Sequence, residues 1–589
     1  MSSVRISWLK IKKQLTQIAN SRWFGWACLF AILLKILWGI WDKKDFPGGD
    51  TLNYYDSARV WHEQLLVSPC WSPLYTAYLG SFLWLNPDPY FAMWAHRIGI
   101  LVAIVFLLYE ITRRLTTPLL AFLIVAWWVV VPTNHDQLYE VHPFAIILPL
   151  GAILLLCRGD SLWHRSTAIG LFLIATFLAR PEYLVPTVLI MLSTLLWDLA
   201  FKPDGRVLFS KLQSFAFPFG LPILLAGAMI AAFFSRSTIP LQDLDDAIHA
   251  KQKQNVNQLF AFGYMKRNPT WTKNPWTSAD ELMIEQFGTD DISLTRAWQI
   301  KPSVMLEHLL WNWRMLPEGI AIGLFSASYG NLNPDYVKNQ RRPLFVGVAG
   351  AFLMMTTCIG FLTIQRRRRN EWYVWLNERL WPILGLICLC VGSLSILLLA
   401  PPRPAFIYGL TISLMIFVGI GLHGLFSLWE KREKYVFITP LFMLIFVGLV
   451  PRYWADKPRN QPILTQVTAL LPLREAIAKG EIKKVAVSQH PDAVRAYLNL
   501  DAKLNDSFVS SYDIQTNPNQ KLSDALRIKG IDTYLVYVGL KNRKFVNQFE
   551  KKARFYQWKK VRDLSVNRQR VRIYRDTLAT ESTTNRTQK

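Results

Sequence analysis

Charge is scarce in this chain. Only 18% of its 589 residues are Asp, Glu, Lys or Arg, while 52% are hydrophobic and the mean hydropathy is +0.19. A soluble chain of this length carries more charge and lacks repeated apolar runs of spanning length, which excludes a soluble globular enzyme. Cysteine is scarcer still. The six (Cys28, Cys70, Cys157, Cys358, Cys388, Cys390) lie mostly in apolar segments, without zinc or redox spacing, so no disulfide framework is implied. The C-terminal part holds no glycine-rich nucleotide motif, and no internal repeat is found. No small-residue cleavage site follows the first apolar run, from Trp23 to Trp41. That run is longer than a signal-peptide core and follows Arg5, Lys10, Lys12 and Lys13, so it reads as an uncleaved first helix.

What is present is a series of apolar runs. After the first, further spans are expected near 93–110, 117–132, 143–157, 166–179, 183–199, 214–234, 343–364, 379–400, 405–428 and 435–450. The fold class expected is a polytopic α-helical membrane protein of about eleven transmembrane helices with a small α/β C-terminal extracytoplasmic domain. Residues 1–21 form a basic cytoplasmic N-terminus, 22–450 the transmembrane domain, 451–575 the extracytoplasmic α/β domain and 576–589 a disordered tail. Basic residues mark the inside loops: Arg113-Arg114, Arg158 to Arg165, Lys202 to Lys211, Arg366 to Arg369 and Lys431 to Lys434. Short loops assigned outside are nearly free of Lys, as the positive-inside rule requires. An odd number of spans sends the tail from Pro451 outside.

Two outside regions are large. The loop 235–341 has helical apolar spacing with Trp311 and Trp313 at one end, the pattern of helices lying on the outer membrane face. From Arg452 onward there are 27 Lys+Arg against 13 Asp+Glu, which favours anionic headgroups or a phosphorylated ligand. Nucleic acid is a poor partner for a multi-spanning chain. In the tail, Lys483 to Ser488 and Asp532 to Val538 read as strands, 491–499, 522–529 and 542–552 as helices, and YQWKKVRDLSVNRQRVRIYRD as a hairpin.

Chemistry concentrates after the first span. FPGGDTLNYYDSARVW (Phe46 to Trp61), followed by CWSPLYTAYLG (Cys70 to Gly80), sets an acid on a glycine-rich turn at a membrane edge. A carboxylate is costly near hydrocarbon and usually has a task or a partner there. Asp50 fits a general base or an acceptor-orienting carboxylate. It also fits an N-cap of the helix TLNYYDSARVWHEQLL, and the two roles are compatible. Tyr54 and Tyr55 read as interfacial anchors, and Asp56 and Glu63 as a solvated helix face.

An acid in the first extracytoplasmic loop, the Tyr54-Tyr55 pair and the Pro73-Leu74-Tyr75 element before the next span resemble the GT-C superfamily. The protein O-mannosyltransferases and the bacterial lipid A aminoarabinose transferase have this style. The resemblance implies a polytopic enzyme that takes a sugar from a polyprenyl-phosphate carrier at the outer membrane face. It makes Asp50 the matching catalytic position and gives Tyr54, Tyr55 and Tyr75 to substrate binding. Many relatives have Asp-Glu where this chain has Asp50-Thr51, so the companion acid is missing. Relatives often place a further acid at the start of a later span. In VPTNHDQLYEVHPF that role falls to Asp136 or Glu140, beside His135 and His142. His and carboxylate side chains also suit a divalent cation, but a polar loop at a helix start explains them more simply and nothing requires a metal.

Arg180 in ARPEYLVP and Arg403 in LAPPRPAFIYG fall at outer ends of spans. Guanidinium forks bind phosphate oxygens and tolerate half-buried sites, which suits a polyprenyl-phosphate leaving group. The alternative for Arg180 is pairing with Glu182, or snorkelling to headgroups for either arginine. His96 and Arg97, at the start of the second span, suit the same cavity or simple packing. The function expected is an inverting glycosyltransferase of the plasma membrane, N-terminus cytoplasmic, with a lipid, glycan or protein acceptor and membrane lipids as partners. The rival is a non-catalytic transporter or scaffold for a lipid-linked or cell-surface polysaccharide. Transporters carry their polar groups at mid-membrane on broken helices, whereas these cluster at one face.

Overall fold

The computed structural model describes residues 21–38, 40, 50–134, 141–198, 208–330, 334, 340–367 and 369–427, then 473–487 in part, 508–510, 521–538, 544–566 and 569–578. The protein is a polytopic α-helical membrane protein with a small mixed sheet near its C-terminus. Among the described residues six stretches are long and apolar enough to cross a membrane: Phe91–Leu115, Leu162–Ala179, Ala216–Phe234, Pro343–Arg366, Val374–Leu398 and Tyr408–Phe426. Pro118–Val130, Val141–Leu156 and Pro181–Leu196 are shorter apolar helices where further spans were expected. The span expected at 435–450, the basic stretch 1–20 and the helix expected at 491–499 lie outside the described residues.

In chain order the helices are α1 (Arg22–Leu37), α2 (Asp50–Gln64), α3 (Pro73–Leu85), α4 (Pro89–Leu115), α5 (Pro118–Val130), α6 (Val141–Leu156), α7 (Leu162–Ile174), α8 (Leu184–Leu196) and α9 (Leu208–Phe234). The loop 235–341 supplies α10 (Leu244–Arg267), α11 (Ala279–Phe287), α12 (Leu294–Ile300) and α13 (Pro302–Phe325). After a two-stranded bridge, β1 (Ala327–Ser328) with β2 (Gln340–Arg341), come α14 (Pro343–Arg367), α15 (Arg369–Ser395) and α16 (Tyr408–Ser427). Proline opens five of these helices, where its missing N–H costs nothing. The chain forms two compact units: Met1–Trp38, Val67–Tyr75 and Arg97–Lys457 in the first, Gly39–Leu66, Thr76–His96 and Pro458–Lys589 in the second.

In the first unit α16 is central, with 78% of its span buried against 6% for the span in α9. Helices α5, α13, α14 and α15 surround it. Small residues set the α14–α16 crossing. A Cβ at Gly360 would collide with the Gly421 carbonyl, and one at Gly421 with the Thr357 backbone. Lipid tails give helices no hydrophobic reason to associate, so this close backbone approach supplies the contact.

The helices of loop 235–341 do more than lie on a surface. Phe260, Leu282, Met283, Phe287, Ile292, Ala297 and Met305 turn toward one another in a core of their own. Their apolar stripes are used on each other because α10, α13 and the short helices α11 and α12 close around a shared interior. Helix α13 then docks on the segment after α15. His308 Nε2 donates to the Leu399 carbonyl (2.8 Å), Asn312 Nδ2 donates to the Leu397 carbonyl (3.0 Å), and Gly319 lies against the Pro402 carbonyl.

In the second unit, α2 and α3 cross at Gly80, where a Cβ would strike the Ala58 carbonyl. Trp84 Nε1 donates to the His62 carbonyl and the Tyr78 hydroxyl to that of His96. The mixed sheet has the order β4-β3-β5-β7-β6. Strands β3 (Val485–Val487), β4 (Phe508–Ser510) and β5 (Thr533–Val538) are parallel, and β6 (Trp558–Val566) with β7 (Gln569–Asp576) is the expected hairpin, β7 running antiparallel to β5. Helices α17 (Leu522–Ile528) and α18 (Lys544–Lys552) cover a core built on Leu526, Tyr534, Phe549, Trp558 and Tyr574. Of the stretch 576–589 expected to be disordered, Asp576 ends β7 and 577–578 form a helical turn; the rest lies outside the described residues.

Two outcomes follow. Gly421→Leu overpacks the α14–α16 crossing and should cost about 1–3 kcal/mol, read as a lower Tm of the detergent-solubilised protein. Burial, reinforced by the Arg267 charge and opposed by the Leu399 hydrogen bond, pushes the His308 imidazole from its ordinary 6.5 down to about 4. The folded chain therefore favours the neutral ring. Its contribution to stability is complete above pH 6.5 and is lost as pH falls toward 4. Tm should drop through that window, with a shallower slope in His308→Gln.

Candidate active site

The chain breaks a helix just before Arg180. Span Leu162–Ala179 ends in a π-turn, Ala175–Ala179, closed by the Arg180 N–H on the Ala175 carbonyl at 2.7 Å. Pro181 then forbids helical geometry at the residue before it, and Arg180 is extended (φ −152°, ψ 130°). The guanidinium is thereby turned out of the helix ladder. Its Nε lies 2.6 Å from Glu182 Oε1, and its Nη1 is 3.2 Å from His142 Nε2. Glu182 is also 3.9 Å from His142 Nδ1. The local acid that sequence suggested for Arg180 is thus in place, with side chains only 18% and 15% exposed.

Arg403 arrives by a different route. Pro401, Pro402 and Pro404 keep its segment out of helix between Leu398 and Tyr408, and the Arg403 carbonyl accepts the N–H groups of Phe406 and Ile407. The guanidinium carbon stands 5.3 Å from the Phe406 ring and 5.9 Å from the Phe262 ring of α10. Phe406 in turn meets the His142 ring edge-on at 5.8 Å. Both Arg180 and Arg403 lie close enough for their charges to act on His142. Among the described residues, Arg180, Glu182, His142 and Arg403 therefore gather at one end of the helices. Planar guanidinium forks suit a phosphate.

Tyr75 belongs to the same unit. It is buried in the first turn of α3, its ring 5.4 Å from Phe144, two residues beyond His142. Just before it, the Ser72 hydroxyl donates to the Ala179 carbonyl at 2.7 Å, tying the Pro73-Leu74-Tyr75 element to the π-turn. Arg97 is half-buried on α4. Asp50, Tyr54 and Tyr55 belong to the other compact unit, on α2. Asp50 is exposed in the first helical turn, where unpaired backbone N–H groups suit a carboxylate. Tyr54 and Tyr55 are buried, not surface anchors. Neighbouring Arg59 is also buried and pairs with Glu63 at 3.2 Å, so Glu63 is not a purely solvated position. His96 is fully buried, Nδ1 on the Ala92 carbonyl at 2.8 Å.

Asp136, Glu140 and His135 lie outside the described residues. Among the described residues no group of three His, Cys, Asp or Glu side chains is placed to hold a metal ion. One buried acid had no signal in the sequence. Glu318 of α13 accepts the backbone N–H groups of Tyr329 (3.0 Å) and Gly330 (2.9 Å), which fixes the turn after β1. A lone acid in an apolar helix carries no motif, and only the fold shows the turn it serves.

No family model matches the sequence, and no curated protein matches it. Solved structures similar to this chain include the oligosaccharyltransferase of Archaeoglobus fulgidus in its apo form, at 11% identity and a TM-score of 0.40, over 86% of this chain and 69% of that one. They also include ArnT from Cupriavidus metallidurans, at 10% identity and a TM-score of 0.38 for the apo state and 11% and 0.37 for the state bound to undecaprenyl phosphate. Each covers 94% of this chain and 98% of that one.

Glu182→Ala would leave Arg180 without its carboxylate between apolar helix ends. The expected loss is on the order of 3 kcal/mol, visible as a lower Tm, with Glu182→Asp retaining most of the wild-type value.

Proposed function

We propose that this protein is an integral membrane glycosyltransferase that moves a sugar from a polyprenyl-phosphate carrier to an acceptor hydroxyl at the extracytoplasmic face of the plasma membrane. The observation that carries this reading is the convergence of Arg180 and Arg403, from two separate span ends, on His142. Two guanidiniums at helix ends suit a lipid phosphate, which sits at that depth in a bilayer.

In this mechanism Asp50 accepts the acceptor hydroxyl's proton as its oxygen bonds to the anomeric carbon. The bond from that carbon to the carrier phosphate breaks, and the phosphate leaves with the electron pair. One displacement inverts the configuration and needs no covalent enzyme intermediate. Arg180 and Arg403 stabilise the charge that grows on the leaving phosphate. Tyr54, Tyr55, Tyr75 and Arg97 are assigned to substrate binding, and Asp136 or Glu140 to assisting Asp50. The acceptor is a lipid, glycan or protein.

Two variants test the assignment. Asp50→Asn should abolish transfer from a polyprenyl-phosphate sugar while leaving membrane insertion and Tm unchanged; full activity in the purified variant would remove Asp50 from the mechanism. Arg403→Ala should lower turnover roughly a hundredfold, as loss of one donor to a developing oxyanion does. Arg403→Lys should recover part of it. An unaltered rate in Arg403→Ala would dismiss the phosphate role.

A further inference from the structure

The C-terminal sheet has a fixed corner that neither the core nor the proposed chemistry uses. Arg527 at the end of α17 makes a two-pronged contact with Asp576 (2.8 and 2.9 Å) and donates to the Tyr556 carbonyl. Thr577 donates through its N–H (3.0 Å) and its hydroxyl (2.7 Å) to the Gln557 carbonyl. Three chain segments are thereby pinned together: the end of α17, the turn 553–557 and the residues after β7.

Each segment presents a large apolar side chain to the outside next to its pinned residue. Ile528 is 74% exposed, Phe555 80% and Leu578 45%. A phenylalanine exposed to that degree on a rigid turn calls for a partner. Cations surround the corner: Lys521, Lys529, Lys551, Lys552 and Arg554 are all exposed. Of the nearby acids, Glu550 and Asp563 pair with Arg572 and Asp576 with Arg527, while the exposed Asp524 of α17 is outnumbered by these five cations.

We propose that this corner docks on a bilayer face rich in anionic phospholipid. Phe555, Ile528 and Leu578 enter the boundary between headgroups and acyl chains, and the surrounding lysines and Arg554 meet lipid phosphates. An apolar tip inside a cationic rim matches an anionic bilayer at both levels. A soluble polyanion would engage the rim alone and leave Phe555 in water. The chain's own spans also keep a bilayer within reach, so modest affinity suffices.

The test uses the full chain in nanodiscs, with the photocrosslinker p-benzoylphenylalanine at position 555 and mass spectrometry of the adducts. Lipid adducts should form at least ~5-fold more with phosphatidylglycerol than with phosphatidylcholine, because the rim reads headgroup charge. Lys552→Glu with Arg554→Glu should remove that preference. The same crosslinker at buried Phe549 should give no lipid adduct. Absence of lipid adducts at 555 in both lipids, or adducts only to protein, overturns the proposal. Equal yields in the two lipids overturn its charge selectivity. Salt-reversible capture of a soluble anionic polysaccharide without lipid adducts assigns the corner to a polymer instead.

Discussion

A guanidinium between apolar helix ends must be compensated, and the arrangement around Arg180 follows from that demand. Glu182 and His142 supply the contacts, and they reach it only because the π-turn and Pro181 swing the arginine out of the helix. Loss of helical hydrogen bonds at that point is the local cost. It is offset by the ion pair and by Thr176, whose hydroxyl bridges to that of Thr187 across the break at 2.9 Å. The break lets the polar groups of two successive helices share one end of the bundle.

Arg403 depends on a different support. Its proline-rich segment has few backbone donors of its own, so the carbonyls of Leu397 and Leu399 are taken up by Asn312 and His308 of α13. The helical loop 235–341 therefore acts as a scaffold for the segment that carries the second arginine. Gly319 and Gly323 let α13 approach the Pro402 carbonyl and Thr411 closely enough for this. The end of α5 and the turn after it are held by the same helix: Trp127 Nε1 donates to the Leu324 carbonyl, and the Thr133 N–H to the Ser326 hydroxyl. Helix α13 thus holds both the segment that carries Arg403 and the end of α5.

Much of this was legible in the residues. Apolar runs of spanning length located the long helices, because in hydrocarbon the backbone must satisfy itself and helices are the open route. The terminal hairpin was visible from alternation around VNRQ, whereas β4, only three residues long, offers no period to detect. Arg180 and Arg403 stood out as charges in apolar surroundings. Their convergence did not, since more than two hundred residues separate them and only packing brings them to His142. The core within 235–341 was missed for a related reason: an apolar helix face looks the same whether it meets lipid or another helix.

The cations themselves divide by chemistry. Among the described residues the buried cations include two arginines, Arg59 beside Glu63, and Arg165 with Asp198 at 2.7 Å and the Trp381 ring at 4.5 Å. A guanidinium is weakly hydrated, stacks on aromatic faces and can satisfy several acceptors at once, so burial costs it less than it costs an ammonium. The lysines around the C-terminal corner stay exposed, where an ammonium keeps its water. In the proposed function, fixed and directional recognition of a phosphate falls to the arginines at the span ends. In the proposed docking, diffuse attraction to an anionic bilayer falls to the lysines of the tail.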